Sequence, residues 1–433
     1  MTKYARRNRL RGGTFRRIEG GMHLALNAAD LSPEEVRQRF LWARRQGVPA
    51  WLWPDITIEA WQQALGGIQK VIRAALAGET SYLEGDPAAI GLAGYTSGMG
   101  ALLGWWHQQG LIETSPDVAA VLDLHLRHNV VRAARMEAAA AAMVAALRAA
   151  GIAVAVLKGA HTAGAYFPHP GTRPASDIDL LVKDADRAAA EAVLEETGFT
   201  LASRGALESS WRGAGVGEYP RSLAFVHAED PWTIDLHHTL DIFVNAGVPI
   251  AALDRAEPLS SATPWVAAPG AMVLEQPLLL LHLAVHAGSA LQSLTLLRQV
   301  ELVLVIRRDL AEARLSWDAF IATAMRCDAL GFAYPALHLC EKLAPGTVPR
   351  AVLDRLAAAA PPRMLRIVNQ LTPATAHRVV RTSVGEHFMW ARGWGGWLRQ
   401  LTADVAPTGI SWRRVTAIYQ ARGWRLIKGR FSR

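Results

Sequence analysis

Over residues 156–182 the chain reads VLKGAHTAGAYFPHPGTRPASDIDLLV. An apolar run ends at Lys158-Gly159, a short helix of small residues follows, and a Pro/Gly loop leads into a second apolar run opening with Asp177-Ile178-Asp179. In a strand, residues two apart point to the same face, so Asp177 and Asp179 project side by side. Carboxylates held that close repel each other unless a cation sits between them. An acid at the first position of a strand is ordinary; a second one inside the run is not, because buried strands exclude Asp. Oxygen-only ligands on a rigid strand suit Mg2+, which takes one or two carboxylates together with substrate phosphates.

A third acid, Asp235, lies inside another β-type run, Trp232-Thr233-Ile234-Asp235-Leu236. Gly159 opens a helix directly after a strand, where free N–H groups and the positive end of the helix dipole favour a triphosphate. A side chain at that position would hold the phosphate away. Three acids on neighbouring strands opposite such a turn form the layout of a two-metal phosphoryl or nucleotidyl transfer site.

Other residues near this layout each carry two readings. Lys158 either reaches the phosphates or lays its stem along the sheet with its ammonium in solvent. Arg173, four residues before Asp177, either offers bidentate phosphate contacts or braces its loop through an acid such as Asp177. By alternation His237 shares a face with Asp235, where it orients that acid, contacts the base or the acceptor, or is simply structural. His161, one turn into the phosphate helix, approaches the substrate or fills a structural place. His282 and His286 have the four-residue spacing of a zinc pair. With no Glu after His282 and no third ligand in view, they read as core or cleft-lining.

Periodicity divides the chain. Ser32-Pro33-Glu34-Glu35 opens a helix that ends near Gly47, and Thr57 opens another with Ala60, Trp61, Ala64, Leu65 and Ile68 on one face. Ser115-Pro116-Asp117 caps the longest helical pattern, which runs to about residue 150. The period changes at Gly151. Strands are expected over 152–157, 178–182 and 232–236 and near 199–202 and 223–227, with helices over 160–166 and 184–196. From residue 276 wide apolar helical stripes return. The expected class is α+β: a small mixed-sheet core at 151–270 between a helical N-terminal domain at 21–150 and a helical C-terminal domain at 271–433, preceded by a basic tail at 1–20.

Half of the 433 residues are apolar and 15 are Trp, a globular composition. Trp390, Trp394, Trp397, Trp412 and Trp424 fall at helical spacings that suit the core of a bundle, with a stacking or membrane-surface face as the alternative. Residues 1–20 and 412–433 together carry +13 of a net +8, so the stretch between them carries −5. The basic ends either attract nucleic acid, anionic lipid or an acidic peptide, or are solvated tails. Cys327 and Cys340 lack metal spacing and read as core thiols of a reducing compartment. No apolar run reaches the roughly 18 residues of a membrane span, and no secretory pattern follows Arg6-Arg7. The expected location is the cytoplasm.

The chain resembles the nucleotidyltransferase superfamily with the polymerase-β-like fold. More closely, it resembles a bacterial family of uncharacterised nucleotidyltransferases that carries Leu-Lys-Gly, a Tyr-Pro-type loop, an Arg, Asp-Ile-Asp-Leu-Leu-Val and a later Asp-Leu-His. Here these are Leu157-Lys158-Gly159, the loop at 166–168, Arg173, 177–182 and Asp235-Leu236-His237. The match is strong over about 151–240 and continues in helix pattern to about 349. It implies that Asp177, Asp179 and Asp235 hold two Mg2+ ions, with Asp235 also helping to deprotonate the acceptor. It implies an NTP substrate, gripped by Lys158, Gly159, Ala160, Thr162 and Arg173. Relatives often lie beside genes for ribosomally made, modified peptides, which implies a peptide or small-molecule acceptor; the alternatives are RNA or another protein, as in toxin-type relatives with a similar layout, and a non-catalytic NTP-binding module. One departure is Gly159-Ala160, where the superfamily usually has Gly-Gly or Gly-Ser; without that hydroxyl the grip falls to backbone N–H groups, Lys158 and Thr162.

Overall fold

The computed structural model describes residues 56–374 except 206, 223–224, 244–248, 261, 266–267, 269, 290 and 292–293, together with residues 34, 37, 38, 390, 394, 395, 397, 398 and 401. The basic tail, most of the helix expected over 32–47, and Trp412 and Trp424 lie outside the described residues.

Side-chain caps fix where the early helices begin. Thr57 accepts from the Ala60 N–H at the head of α1 (Ile58–Leu76), which is followed by β1 (Ser81–Leu83). Asp86 accepts from the Ala89 N–H to start α2 (Pro87–Ser97), with Pro87 in the first turn. Next come α3 (Gly100–Gln108), β2 (Ile112–Thr114) and the 34-residue α4 (Pro116–Ala149), which Ser115 caps through the Val118 N–H. Gly104 lets α3 lie directly on α4, since a Cβ there would stand 2.5 Å from the Leu122 carbonyl oxygen.

The sheet elements follow: β3 (Ala155–Val156), α5 (Ala160–Tyr166), β4 (Asp177–Leu181), α6 (Arg187–Glu196), β5 (Thr200–Arg204), β6 (Glu208–Arg212), β7 (Thr233–His237), β8 (Ile242–Phe243), β9 (Pro249–Ala251), β10 (Thr263–Pro264) and β11 (Met272–Val273). Seven of these strands form one mixed sheet in the order β10-β11-β3-β4-β7-β6-β5. Strand β4 runs antiparallel to β3 and parallel to β7, with Asp179 opposite Asp235. The chain closes with α7 (Leu278–Ser289), α8 (Leu296–Ala311), α9 (Trp317–Arg326), α10 (Leu330–Leu343), α11 (Arg350–Ala359) and α12 (Pro362–Gln370). The α+β class with helical flanks is as expected.

Alternation assigns the two faces of the sheet. Ile178, Leu180 and Val182 of the β4 segment, Ile234 and Leu236 of β7, and Trp211 of β6 form one apolar layer. That layer packs on Met136, Ala140, Met143, Val144 and Leu147 of α4 and on Ala190 and Leu194 of α6. The first turns of α4, through Val118 and Leu122, belong instead to the core of α1 to α3. One helix thus serves both cores, and the core of the sheet crosses the domain boundary drawn at residue 150. On the opposite face, Ala155, Leu157 and Leu181 join the core of the C-terminal helices. Asp177 and Asp179 share that face by alternation.

Two expectations change. The strand expected near 223–227 is not found: among the described residues of that stretch, Phe225 and His227 lie in a loop, with the Phe225 ring 4.8 Å from that of His128 on α4. Strand β6, which was not expected, pairs with β7, and its Ser209 and Trp211 turn inward from a polar-looking segment. Both cysteines are buried and free. Trp390 is core, its ring 4.2 Å from Phe332, whereas Trp394 and Trp397 are exposed. No helix among the described residues is long and apolar enough to cross a membrane.

Candidate active site

The parallel pairing of β4 with β7 sets Asp179 beside Asp235, and the pleat places Asp177 one step up the same face. One oxygen from each of the three carboxylates lies within 4.8 Å of the other two. Asp179 is buried, while Asp177 and Asp235 are half-buried. Their charges are balanced unequally. Burial and the neighbouring Asp179 carboxylate push Asp177 above the ordinary carboxyl range. Burial and Asp177 do the same to Asp235, whose Oδ1 is buried without a hydrogen-bond partner among the described residues. Burial also acts against ionised Asp179, but the Lys158 ammonium and His237 overcome it and hold this acid well below its usual value. An all-oxygen donor set with an orphaned buried carboxylate oxygen fits a divalent cation.

Lys158 follows β3 at the sheet's centre, and its Nζ lies 2.6 Å from Asp179 Oδ2. The side chain is buried, which removes the reading with a solvent-exposed ammonium. His237 corrects an expectation: its Nε2 lies 3.0 Å from Asp179 Oδ1 and its Nδ1 3.3 Å from Glu208 Oε2, so it orients Asp179 and not Asp235. The reason is register. His237 stands opposite Leu181, and its ring reaches diagonally across to the acid two residues back on β4.

Gly159 turns the chain from β3 into α5 with φ +75 and ψ −91. A Cβ there would stand 3.5 Å from an Arg173 terminal nitrogen and 4.0 Å from Asp179 Oδ2, so the bare backbone faces the acids. Ala160 is the first residue of α5 and packs partly against the apolar layer of the sheet. Thr162 is fully buried, and its hydroxyl donates to Glu301 of α8 and to the Gly159 carbonyl oxygen, turned away from the open side of the turn. His161 is buried against Tyr166, at 5.9 Å between rings, and burial lowers it to about 4. It is not brought to the acid cluster.

Arg173 does brace its loop, but through a different acid from the one expected. Its Nε and one terminal nitrogen take both carboxylate oxygens of Glu301, at 2.8 and 3.0 Å. Both side chains are buried, and the paired guanidinium is raised although burial alone would lower it. Glu301 is a residue that sequence reasoning missed. Its signal was an acid inside the apolar run LLRQVELVLVI, which, like any buried charge, needs a partner. Arg298 was also missed as a contributor, whereas His286 is cleft-lining, one of its two readings in sequence. With Lys158, Asp177, Asp179 and Glu301 they line an open cleft between the sheet and helices α7 and α8.

These residues lie inside a stretch that matches a known family. The family described as "Uncharacterised nucleotidyltransferase" matches residues 102–345, more than half of the chain. The chain belongs to this family. It is therefore an enzyme that transfers a nucleotidyl group, with an NTP as substrate. No curated protein and no solved structure matches the chain. The matched stretch of this nucleotidyltransferase takes in α4, the whole sheet and helices α7 to α10. It therefore includes both walls of the cleft.

Proposed function

We propose that the enzyme is Mg2+-dependent and transfers a nucleotidyl group from an NTP to a hydroxyl or amine, the acceptor being a ribosomally made peptide or a small molecule. The observation that carries the reading is the convergence of Asp177, Asp179 and Asp235 within 4.8 Å, in front of the bare Gly159 turn. The three acids would hold two Mg2+ ions, which supply charge neutralisation of the phosphates and activation of the acceptor. Lys158 and His237 keep Asp179 ionised and aimed. The Gly159 backbone admits the phosphates closely because no side chain intervenes. Arg173, with its fork on Glu301, turns its remaining terminal nitrogen toward the same turn.

The acceptor's oxygen or nitrogen bonds to the α-phosphorus, and the bond from that phosphorus to the bridging oxygen breaks. The electron pair leaves with pyrophosphate, and the acceptor's proton passes to Asp235. The test mixes the purified full chain with Mg2+, each labelled NTP and a peptide encoded beside its gene. The expected result is pyrophosphate release and a peptide gaining the mass of one nucleotidyl group, both lost in Asp177→Asn and Asp179→Asn. Release unchanged in those variants would defeat the reading. Label appearing on added RNA instead would keep the chemistry and replace the acceptor.

A further inference from the structure

The helix wall of the cleft carries a cation that the transfer step above does not use. Arg298 lies one turn before Glu301 on α8, so the two side chains leave the same face of the helix. Glu301 already takes three donors, Arg173 on both oxygens and the Thr162 hydroxyl on one. Arg298 makes another contact: one terminal nitrogen rests 2.9 Å from His286 Nδ1. Burial, with Lys158 and Arg298 nearby, keeps His286 neutral, so the ring nitrogen accepts and fixes the guanidinium's direction.

Three cations line this cleft, and their commitments differ. Lys158 is held at 2.6 Å by Asp179, and the Arg173 fork is held by Glu301. Among the described residues no carboxylate pairs with Arg298. Glu301, Asp177 and Asp179 attract its charge from a distance, but a half-buried guanidinium with no carboxylate in direct contact leaves donors open, and an anion would satisfy them. Its planar array of donors suits phosphate oxygens. The cleft that Arg298 shares with Lys158, Gly159, Asp177 and Asp179 is where a polyphosphate would lie.

Building on the nucleotidyl-transfer reading, we infer that Arg298 is a polyphosphate-binding residue delivered by the C-terminal helices. Its guanidinium binds the β- and γ-phosphates of the NTP and stays with the pyrophosphate as the bond to the α-phosphorus breaks. The phosphate role that spacing suggested for Arg173 is thus shared with, and largely carried by, a residue 125 positions later in the chain.

Calorimetric titration of the full chain in Mg2+ tests this without knowledge of the acceptor. The probes are ATP, GTP, CTP and UTP, inorganic pyrophosphate, and the monophosphate of whichever nucleotide binds. Arg298→Met is expected to weaken the triphosphate and pyrophosphate by about tenfold or more, the scale of a hydrogen bond to a charged group. The monophosphate should stay within about twofold. Equal losses for mono- and triphosphate, or undiminished pyrophosphate binding, would overturn the assignment. Should Arg298→Met melt early, Arg298→Lys decides: it keeps the charge but loses the planar fork, and about a fivefold loss for pyrophosphate alone is expected. Unchanged affinities in that variant also overturn the assignment. If the unaltered protein binds none of the four triphosphates, the transfer reading itself fails; if it binds one and both variants match it, only Arg298 is wrongly assigned.

Discussion

The two walls of the cleft are built on different rules. On the strand wall, Asp177, Asp179, Asp235 and His237 are spaced by the two-residue repeat of β4 and β7, and one face collects them. On the helix wall, Glu301 reaches Arg173 across 128 positions of sequence, and Arg298 reaches back 12 positions to His286. The strand wall gathers like charges that repel one another. The helix wall pairs Glu301 with Arg173 and so locks α8 to the loop ahead of β4. The acids are concentrated on the repelling wall, and its rigidity is supplied by the paired one.

The largest expected effect falls on the paired wall. Glu301→Ala leaves Arg173 buried without its partner and should cost about 3–5 kcal/mol in urea unfolding, the usual penalty for stranding one member of a buried ion pair. In a double-mutant cycle with Arg173→Ala the two losses should overlap strongly; simple additivity would mean that the pair does not join the walls.

On the strand wall the sign should reverse. Asp177→Asn relieves crowding among the three acids, so the metal-free protein should gain about 1 kcal/mol of stability. Mn2+ binding followed by electron paramagnetic resonance should fall by about 100-fold, the upper end of what disturbing a metal site costs. A variant that loses stability and keeps the ion would erase the contrast between the walls.

Gly159→Ala sits where the walls meet. Its backbone region is strained for any residue with a side chain, so a loss of about 1–3 kcal/mol is expected in thermal melts, along with weaker NTP binding because the new methyl faces Asp179. The smallest effect belongs to Arg350→Ala, away from both walls. Its pair with Asp354 is exposed and one turn apart. Such pairs are worth about 0.3–0.5 kcal/mol, and a larger shift in the melting curve would show that surface pairs carry weight here too.

How much could be read in advance follows the same division. Asp177, Asp179, Asp235 and the Gly159 turn were legible because strand alternation and the break of period at Gly151 are local. The caps at Thr57 and Ser115 were legible for the same reason. His237 was placed on the right face with its role left open, and the acid offered as one partner, Asp235, is not the one it touches, since that depends on which residue of β4 lies opposite. Strand β6 went unread: Ser209 and Trp211 do alternate inward, yet a stretch of two serines and two charged residues looks like a loop until its neighbour is known. Glu301 was conspicuous as an acid in an apolar helix, but no spacing rule points from it to Arg173.

The 34-residue α4 has a practical corollary for anyone seeking a minimal catalytic piece. Its last four turns floor the sheet, and its first turns roof the N-terminal bundle. A fragment started at residue 151 would strip the α4 side chains from the sheet's apolar layer and leave Ala190 and Leu194 of α6 to cover Trp211, Ile234 and Leu236. Trimming must therefore stop upstream of Ser115, which is where the helix acquires its cap.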